Sequence, residues 1–244
     1  MAWYAYCITE QGTFQQARVR RPFPIEQLKG FNGAPVLGYP SGEFVVVVSE
    51  YVPGTSLTQE SILDHARVVS DCFKLATVLP FRFGTIFETD EALRQAVRSN
   101  KKNFAESVTK LKGKSEMHLK LVVKVDGAVA EAFVQGQPLP QVGGEYLSRL
   151  REKASRDRER QSKARALSVQ VHKLFNPLQE EVVCKKNNVG LVIDIAHLID
   201  SGSVEKYQNR YSTAMRHFKD CQISLTGPWP PYHFVSERKR AGSN

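Results

Sequence analysis

Around positions 116–125 the chain alternates: Met117, Leu119, Leu121, Val123 and Val125 are apolar, while Glu116, His118, Lys120 and Lys124 are polar. Successive side chains on a strand point to opposite faces, so this pattern predicts a strand with one dry and one wet face. Such a strand needs a sheet whose dry face is covered by another layer. Asp126-Gly127 has turn chemistry, and a long charged helix is expected over about residues 144–176, kinked or ended by Pro177. Residues 182–184 and 189–199 read as strands flanking a turn at Lys185-Lys186-Asn187-Asn188. Ser203 is placed to cap a helix with Val204, Tyr207, Tyr211, Met215 and Phe218 on one face, and residues 222–225 form a last strand. The order is β-α-β-β-α-β, the split-βαβ or ferredoxin-like arrangement of one antiparallel sheet with helices on one face.

The first half shows the same plan in degraded form. An aromatic-rich strand over residues 3–9 precedes a segment punctuated by Pro22, Pro24 and Gly30, where the first helix of the plan is reduced to loop. Residues 34–38 are expected to pair with the apolar run Phe44-Val45-Val46-Val47-Val48 across a turn at Tyr39-Pro40-Ser41-Gly42. Ser56 and Gln59 resemble a capping box for a helix whose Ile62, Ala66, Val69, Phe73 and Ala76 face the core. A short strand over 81–87 and a polar helix over about 89–111, running through Lys101-Lys102, complete the half. That polar helix is expected to be the linker between two domains, residues 1–112 and residues 113–244. The expected fold class is α+β, with two ferredoxin-like domains of which the N-terminal one is degraded.

A hydrophobic fraction of 41% and a charged fraction of 24% suit a folded chain with its own core. The longest apolar runs, Phe44–Val48 and Leu191-Val192-Ile193, fall far short of the ~20 residues that cross a bilayer. Met1-Ala2-Trp3-Tyr4-Ala5-Tyr6 lacks the pattern of a secretory signal, so a cytoplasmic location is expected. Cys7, Cys72, Cys184 and Cys221 have no paired ligand spacing and read as reduced apolar fillers. His65, His118, His172, His197, His217 and His233 show no metal-binding spacing either. His197 is flanked by Asp194 and Asp200, but strand alternation works against all three facing one way. No nucleotide-binding or nucleophile motif is present, so no catalytic residue, cofactor or metal is expected.

The formal charge of +9 favours an acidic partner. It is densest over residues 149–165, with eight basic residues against three acidic ones, and Arg149, Lys153, Arg156, Arg160 and Lys163 share a helical face. The plain reading is a solvated face steadied by Glu152 to Arg156 and Glu159 to Lys163 pairs. The functional reading is a docking surface for an acidic protein. A basic split-βαβ sheet is also the plan of RNA-recognition modules, and Phe81-Arg82-Phe83-Gly84-Thr85-Ile86-Phe87 superficially resembles their aromatic strand. Phe83 stands between Arg82 and Gly84, where that motif wants the glycine directly after the basic residue. RNA binding is therefore kept as the alternative, and no nucleic acid or membrane partner is expected.

Two longer motifs are more specific. Leu79-Pro80-Phe81-Arg82-Phe83-Gly84-Thr85-Ile86-Phe87 and Thr226-Gly227-Pro228-Trp229-Pro230-Pro231-Tyr232-His233-Phe234 closely resemble the gas vesicle protein F/L family, and the likeness spans essentially the whole chain. It implies a two-domain, non-enzymatic protein of gas vesicle formation, a minor component or assembly factor located at the vesicle. The implied partners are the small hydrophobic major shell protein (type A) and other gas vesicle accessory proteins. In the second motif the prolines preorganise an extended strap whose Trp229, Tyr232 and Phe234 either pack over a domain edge or enter a partner's groove, and on the second reading Trp229 and Tyr232 join the basic helix as candidate partner contacts. Arg82 reads either as a buried ion pair holding the domains together or as a recognition residue.

Overall fold

A computed structural model describes residues 1–12, 25–123, 143–176, 181–186, 192–218 and 221–235. The chain forms two compact units: Met1–Glu116, joined by the stretch that starts at Trp229, and Met117–Pro228.

In the first unit the strands are β1 (Ala2–Glu10), β2 (Leu37–Ser41), β3 (Phe44–Tyr51), β4 (Leu79–Pro80) and β5 (Ile86–Phe87), and the helices are α1 (Gln59–Phe73) and α2 (Asp90–Leu111). The sheet runs β2-β3-β1-β4, and β5 also pairs with β1. Residues 3–9 of β1 are all buried, which only a strand covered on both faces achieves. Trp3 Nε1 donates to Asp90 Oδ1 on α2 at 2.9 Å, whereas the next residue, Tyr4, meets His65 of α1 through its hydroxyl at 3.0 Å. Neighbouring strand residues face opposite ways, so the two helices sandwich this sheet and do not share one face. The expected linker helix is thus a packing layer: Leu93, Val97, Val108 and Leu111 of α2 are buried, each worth about 1.5–3 kcal/mol.

Several local expectations shift. The capping box of α1 uses Thr58 and Ser61, with Ser61 N donating to Thr58 Oγ1 at 3.3 Å and Thr58 N to Ser61 Oγ at 3.1 Å, not Ser56 and Gln59. A serine fills the role usually given to glutamate or glutamine because its short hydroxyl reaches the same backbone N–H. The buried face of α1 is accordingly Ser61, His65, Val68, Val69 and Cys72, and Ile62 is 49% exposed. The β2–β3 turn is the two residues Gly42-Glu43, with Gly42 at φ +64°, so Tyr39 and Pro40 belong to β2. Pro40 is tolerated there because β2 is the edge strand.

The second unit contains β6 (Lys114–Val123), α3 (Gly143–Phe175), β7 (Glu181–Lys186), β8 (Val192–Asp200), α4 (Val204–His217) and β9 (Cys221–Trp229), in a sheet ordered β7-β8-β6-β9. In both sheets the first strand of the set lies between the third and the last, the order a split-βαβ connection produces. Met117, Leu119 and Leu121 of β6 form a core with Val171 and Phe175 of α3, Ile195 and Ile199 of β8, and Tyr207 and Ala214 of α4. On α4 the helix turns Ala214 inward and leaves Met215 55% exposed, contrary to the expected face. Ser203 occupies the N-cap without a side-chain bond; Asp200 Oδ1 instead accepts from Gly202 N at 2.7 Å. Lys185 and Lys186 lie within β7, while Asn187, Asn188, Val125, Asp126, Gly127 and Pro177 fall outside the described residues. Among the described residues no helix is long and apolar enough to cross a membrane.

Candidate protein-interaction surfaces

The segment expected as one strand over 81–87 is two short strands with a loop thrown out between them. Phe81 N donates to Tyr6 O and Ala5 N donates to Thr85 O, both at 2.9 Å. Adjacent residues of β1 therefore hold both ends of a loop whose interior is Arg82, Phe83 and Gly84. Gly84 at φ +82° supplies the left-handed turn this needs. The loop is tied from beneath: Tyr4 Oη contacts His65 Nδ1 at 3.0 Å and accepts from Gly84 N at 3.4 Å, and His65 Nε2 sits 3.2 Å from Phe81 O. Burial pushes the Tyr4 phenol up to about 12 and lowers His65 to about 4, so both are neutral near pH 7.

Phe83 packs edge-on against Tyr4 and His65, and Phe81 against Phe87 and Phe104. These rings are packing groups of the first unit and do not form an open stacking platform. Arg82 is exposed at the outer turn of the loop, so it is not a buried ion pair. Four apolar side chains of the first unit are exposed: Val52, Leu57, Ile62 and Leu63, by 67%, 42%, 49% and 68%. Leu57 reaches the loop, its Cδ1 lying 3.2 Å from where a Cβ on Gly84 would be.

The C-terminal motif is extended only to Trp229, the end of β9. Beyond it the chain turns, with Tyr232 N donating to Pro230 O at 2.8 Å and Phe234 N to Pro231 O at 3.2 Å. The motif is therefore a strand followed by a turn and not a continuous extended strap. Pro230, Pro231 and Phe234 are buried, while Trp229 and Tyr232 are 40% and 38% exposed. Within the first unit, the His233 backbone N donates to Glu116 Oε2 at 2.8 Å, and His233 Nδ1 lies 2.7 Å from Glu116 Oε1. Glu116, expected on the wet face of its strand, is 1% exposed. A buried carboxylate needs such partners, and the histidine supplies two.

The basic residues expected to form one docking stripe stand differently. Lys153, Arg156 and Lys163 are exposed on α3; Arg156 pairs with Glu152 at 3.0 Å and Lys163 with Glu159 at 3.2 Å. Arg149 and Arg160 lie on α3, with side chains outside the described set. Ser168, Val171 and Phe175 near the C-terminal end of α3 are buried, but every described side chain over residues 151–166 is exposed.

His197 has the strongest unexplained feature of the second core. Fully buried, it is hydrogen-bonded through Nδ1 to the Tyr207 hydroxyl, and its Nε2 has no partner among the described residues. Burial, with His172 nearby, lowers its pKa to about 4. Asp194 and Asp200 are exposed, so alternation separates them from His197 and no proton relay is assembled there.

A family model described as "Gas vesicle synthesis protein GvpL/GvpF" matches residues 2–236. Gas vesicle protein F1 of Halobacterium salinarum is 20% identical over 181 residues, 73% of this chain and 70% of that protein. Gas vesicle protein L of a Streptomyces species is 24% identical over 181 residues, covering 70% and 67%. The crystal structure of the gas vesicle protein GvpF from Anabaena sp. superposes with a TM-score of 0.75 at 18% identity, over 100% of this chain and 99% of that one. That of GvpF from Microcystis aeruginosa gives 0.69 at 19% identity, over 97% and 99%.

Proposed function

Because the chain belongs to the GvpL/GvpF family of gas vesicle synthesis proteins, and so has a role in gas vesicle formation, we propose that it binds the major vesicle shell subunit during assembly. In this reading it is a minor component or assembly factor at the vesicle and acts by binding, without catalysis. The observation that carries the reading is the match to the family over residues 2–236. Three sets of residues support it. The exposed Val52, Leu57, Ile62 and Leu63 offer a hydrophobic subunit apolar side chains to pack against. The basic residues of α3, Lys153, Arg156 and Lys163 with Arg149 and Arg160 on the same helix, attract its acidic groups. Trp229 and Tyr232, each more than a third exposed, are a third contact of the kind that dominates interfaces.

The test is flotation of vesicles from a producing host, stringent washing, and mass spectrometry of the floating fraction for peptides of this chain. Retention there marks a wall component. Recovery only from the soluble fraction, bound to unassembled shell subunit, marks an assembly factor. Absence from both pools would refute the proposal. A purified preparation that carries co-purifying RNA, with binding that collapses as salt rises, would instead favour an RNA-binding role.

A further inference from the structure

The charges along the exposed length of α3 fall into two unlike rows. Arg156 and Lys163 are each neutralised by a glutamate one turn earlier. Arg151, Arg158 and Arg165 are exposed and have no ion-pair partner among the described residues. These three arginines repeat every seven residues, so they stand about 10.5 Å apart along the axis and drift only about 20° around it per step. The exposed side chains between them on that face, Ser155 and Ser162, are small. Glu152 and Glu159 form a parallel row roughly a quarter to a third of a turn away.

We infer that this face of α3 docks an acidic α-helix of a protein partner, one that repeats Asp or Glu every seven residues opposite Arg151, Arg158 and Arg165. The inference deepens the reading of α3 as a docking element and rests on it, not on the identity of the vesicle subunit. Three properties select a helix. Only another helix repeats a side chain on one face at about 10.5 Å, whereas a strand repeats at about 7 Å. The Glu152–Arg156 and Glu159–Lys163 pairs beside the arginines neutralise themselves, so the positive charge of this face is confined to three separated points, which suits the spaced carboxylates of a helix better than the continuous phosphates of a nucleic acid. The exposed segment also lacks the apolar face with which a helix lies on a lipid surface: its described apolar residues over 151–166 are Ala154 and Ala166.

The full chain is titrated with a designed helical peptide of about three heptads bearing Glu at every seventh position. The competitors are a scrambled peptide of equal composition, a single-stranded oligonucleotide, and vesicles of anionic phospholipid. The heptad peptide is expected to bind at least about tenfold more tightly than the scrambled one. Combined R151E, R158E and R165E should abolish that preference, while combined K101E and K102E on the exposed side of α2 should change it by less than about threefold, with helix content by circular dichroism retained in both. A peptide with Lys in place of Glu should bind the triple variant, which tests the geometry even if that variant is less stable. Equal affinity for heptad and scrambled peptides, equal effects of the two variants, or tighter binding of the oligonucleotide or vesicles would overturn the inference. Failure of the vesicle reading shows elsewhere, as normal flotation of cells lacking this chain, and leaves the peptide result standing.

Discussion

His65 is 3% exposed and His197 is fully buried, each with a pKa held near 4 chiefly by burial. The unfolded chain takes up a proton at each near pH 6.5, which the folded chain refuses until near pH 4. Stability is therefore complete above about pH 6.5 and is lost as the pH falls toward 4, by on the order of 3 kcal/mol per histidine. Urea unfolding across that window should show a falling midpoint, and replacing both histidines with glutamine should flatten it; a flat wild-type profile contradicts the burial argument. Gly30 poses a steric test, since a Cβ there would lie 2.1 Å from Tyr6 Oη and 2.6 Å from Ser49 Oγ. Tyr6 Oη also accepts Phe31 N at 2.6 Å, so the ring has little room to move. Gly30→Ala should cost about 1–3 kcal/mol in thermal or urea unfolding. Glu116→Ala removes the acceptor of both His233 bonds and should cost about 2–4 kcal/mol by the same measurement. Neither the Gly30–Tyr6 packing nor the Glu116–His233 pairing was legible in the sequence, because each joins residues far apart along the chain. The pairing of Glu116 with His233 spans 117 positions, and alternation alone assigns Glu116 to solvent.

At the scale of elements, legibility followed the clarity of the period. β6, α3, β8 and α4 carry one period each and lie close to where alternation or helical spacing puts them. The segment over 79–87 does not, because its loop is set by hydrogen bonds from Tyr6 and Ala5 of β1 and by the Tyr4–His65 pair beneath it, not by its own composition. The start of α1 was misplaced by two residues, since several serines and threonines in a row each offer a cap. Thr58→Ala should destabilise the chain by about 1 kcal/mol, while Ser56→Ala should stay within about 0.5 kcal/mol; the reverse order in unfolding measurements would restore the original capping box. The basic stripe was legible as a row on a wheel, but sequence spacing does not show which members are neutralised by Glu152 and Glu159.

For the molecule as a whole, a charge of +9 makes electrostatic attraction the long-range part of any encounter. Capture of a shell subunit should weaken as salt rises past about 0.15 M, where the Debye length is about 8 Å, yet retain a salt-resistant remainder from the exposed apolar side chains of Val52, Leu57, Ile62 and Leu63. Surface plasmon resonance over a salt series separates the two; complete loss at high salt would exclude the apolar contact. The sandwiching of the first sheet was not legible in the sequence, because the apolar positions of α2 are diluted by its charged surface. That sandwich bears on synthesis as well as on the finished protein. β1 precedes in the chain every strand it pairs with, β3, β4 and β5, and both helices that cover it. On a ribosome adding about 5–20 residues per second, its aromatic run must wait several seconds for α2 to emerge. For that interval a protein proposed to accompany a hydrophobic subunit has a hydrophobic strand of its own to keep from other chains.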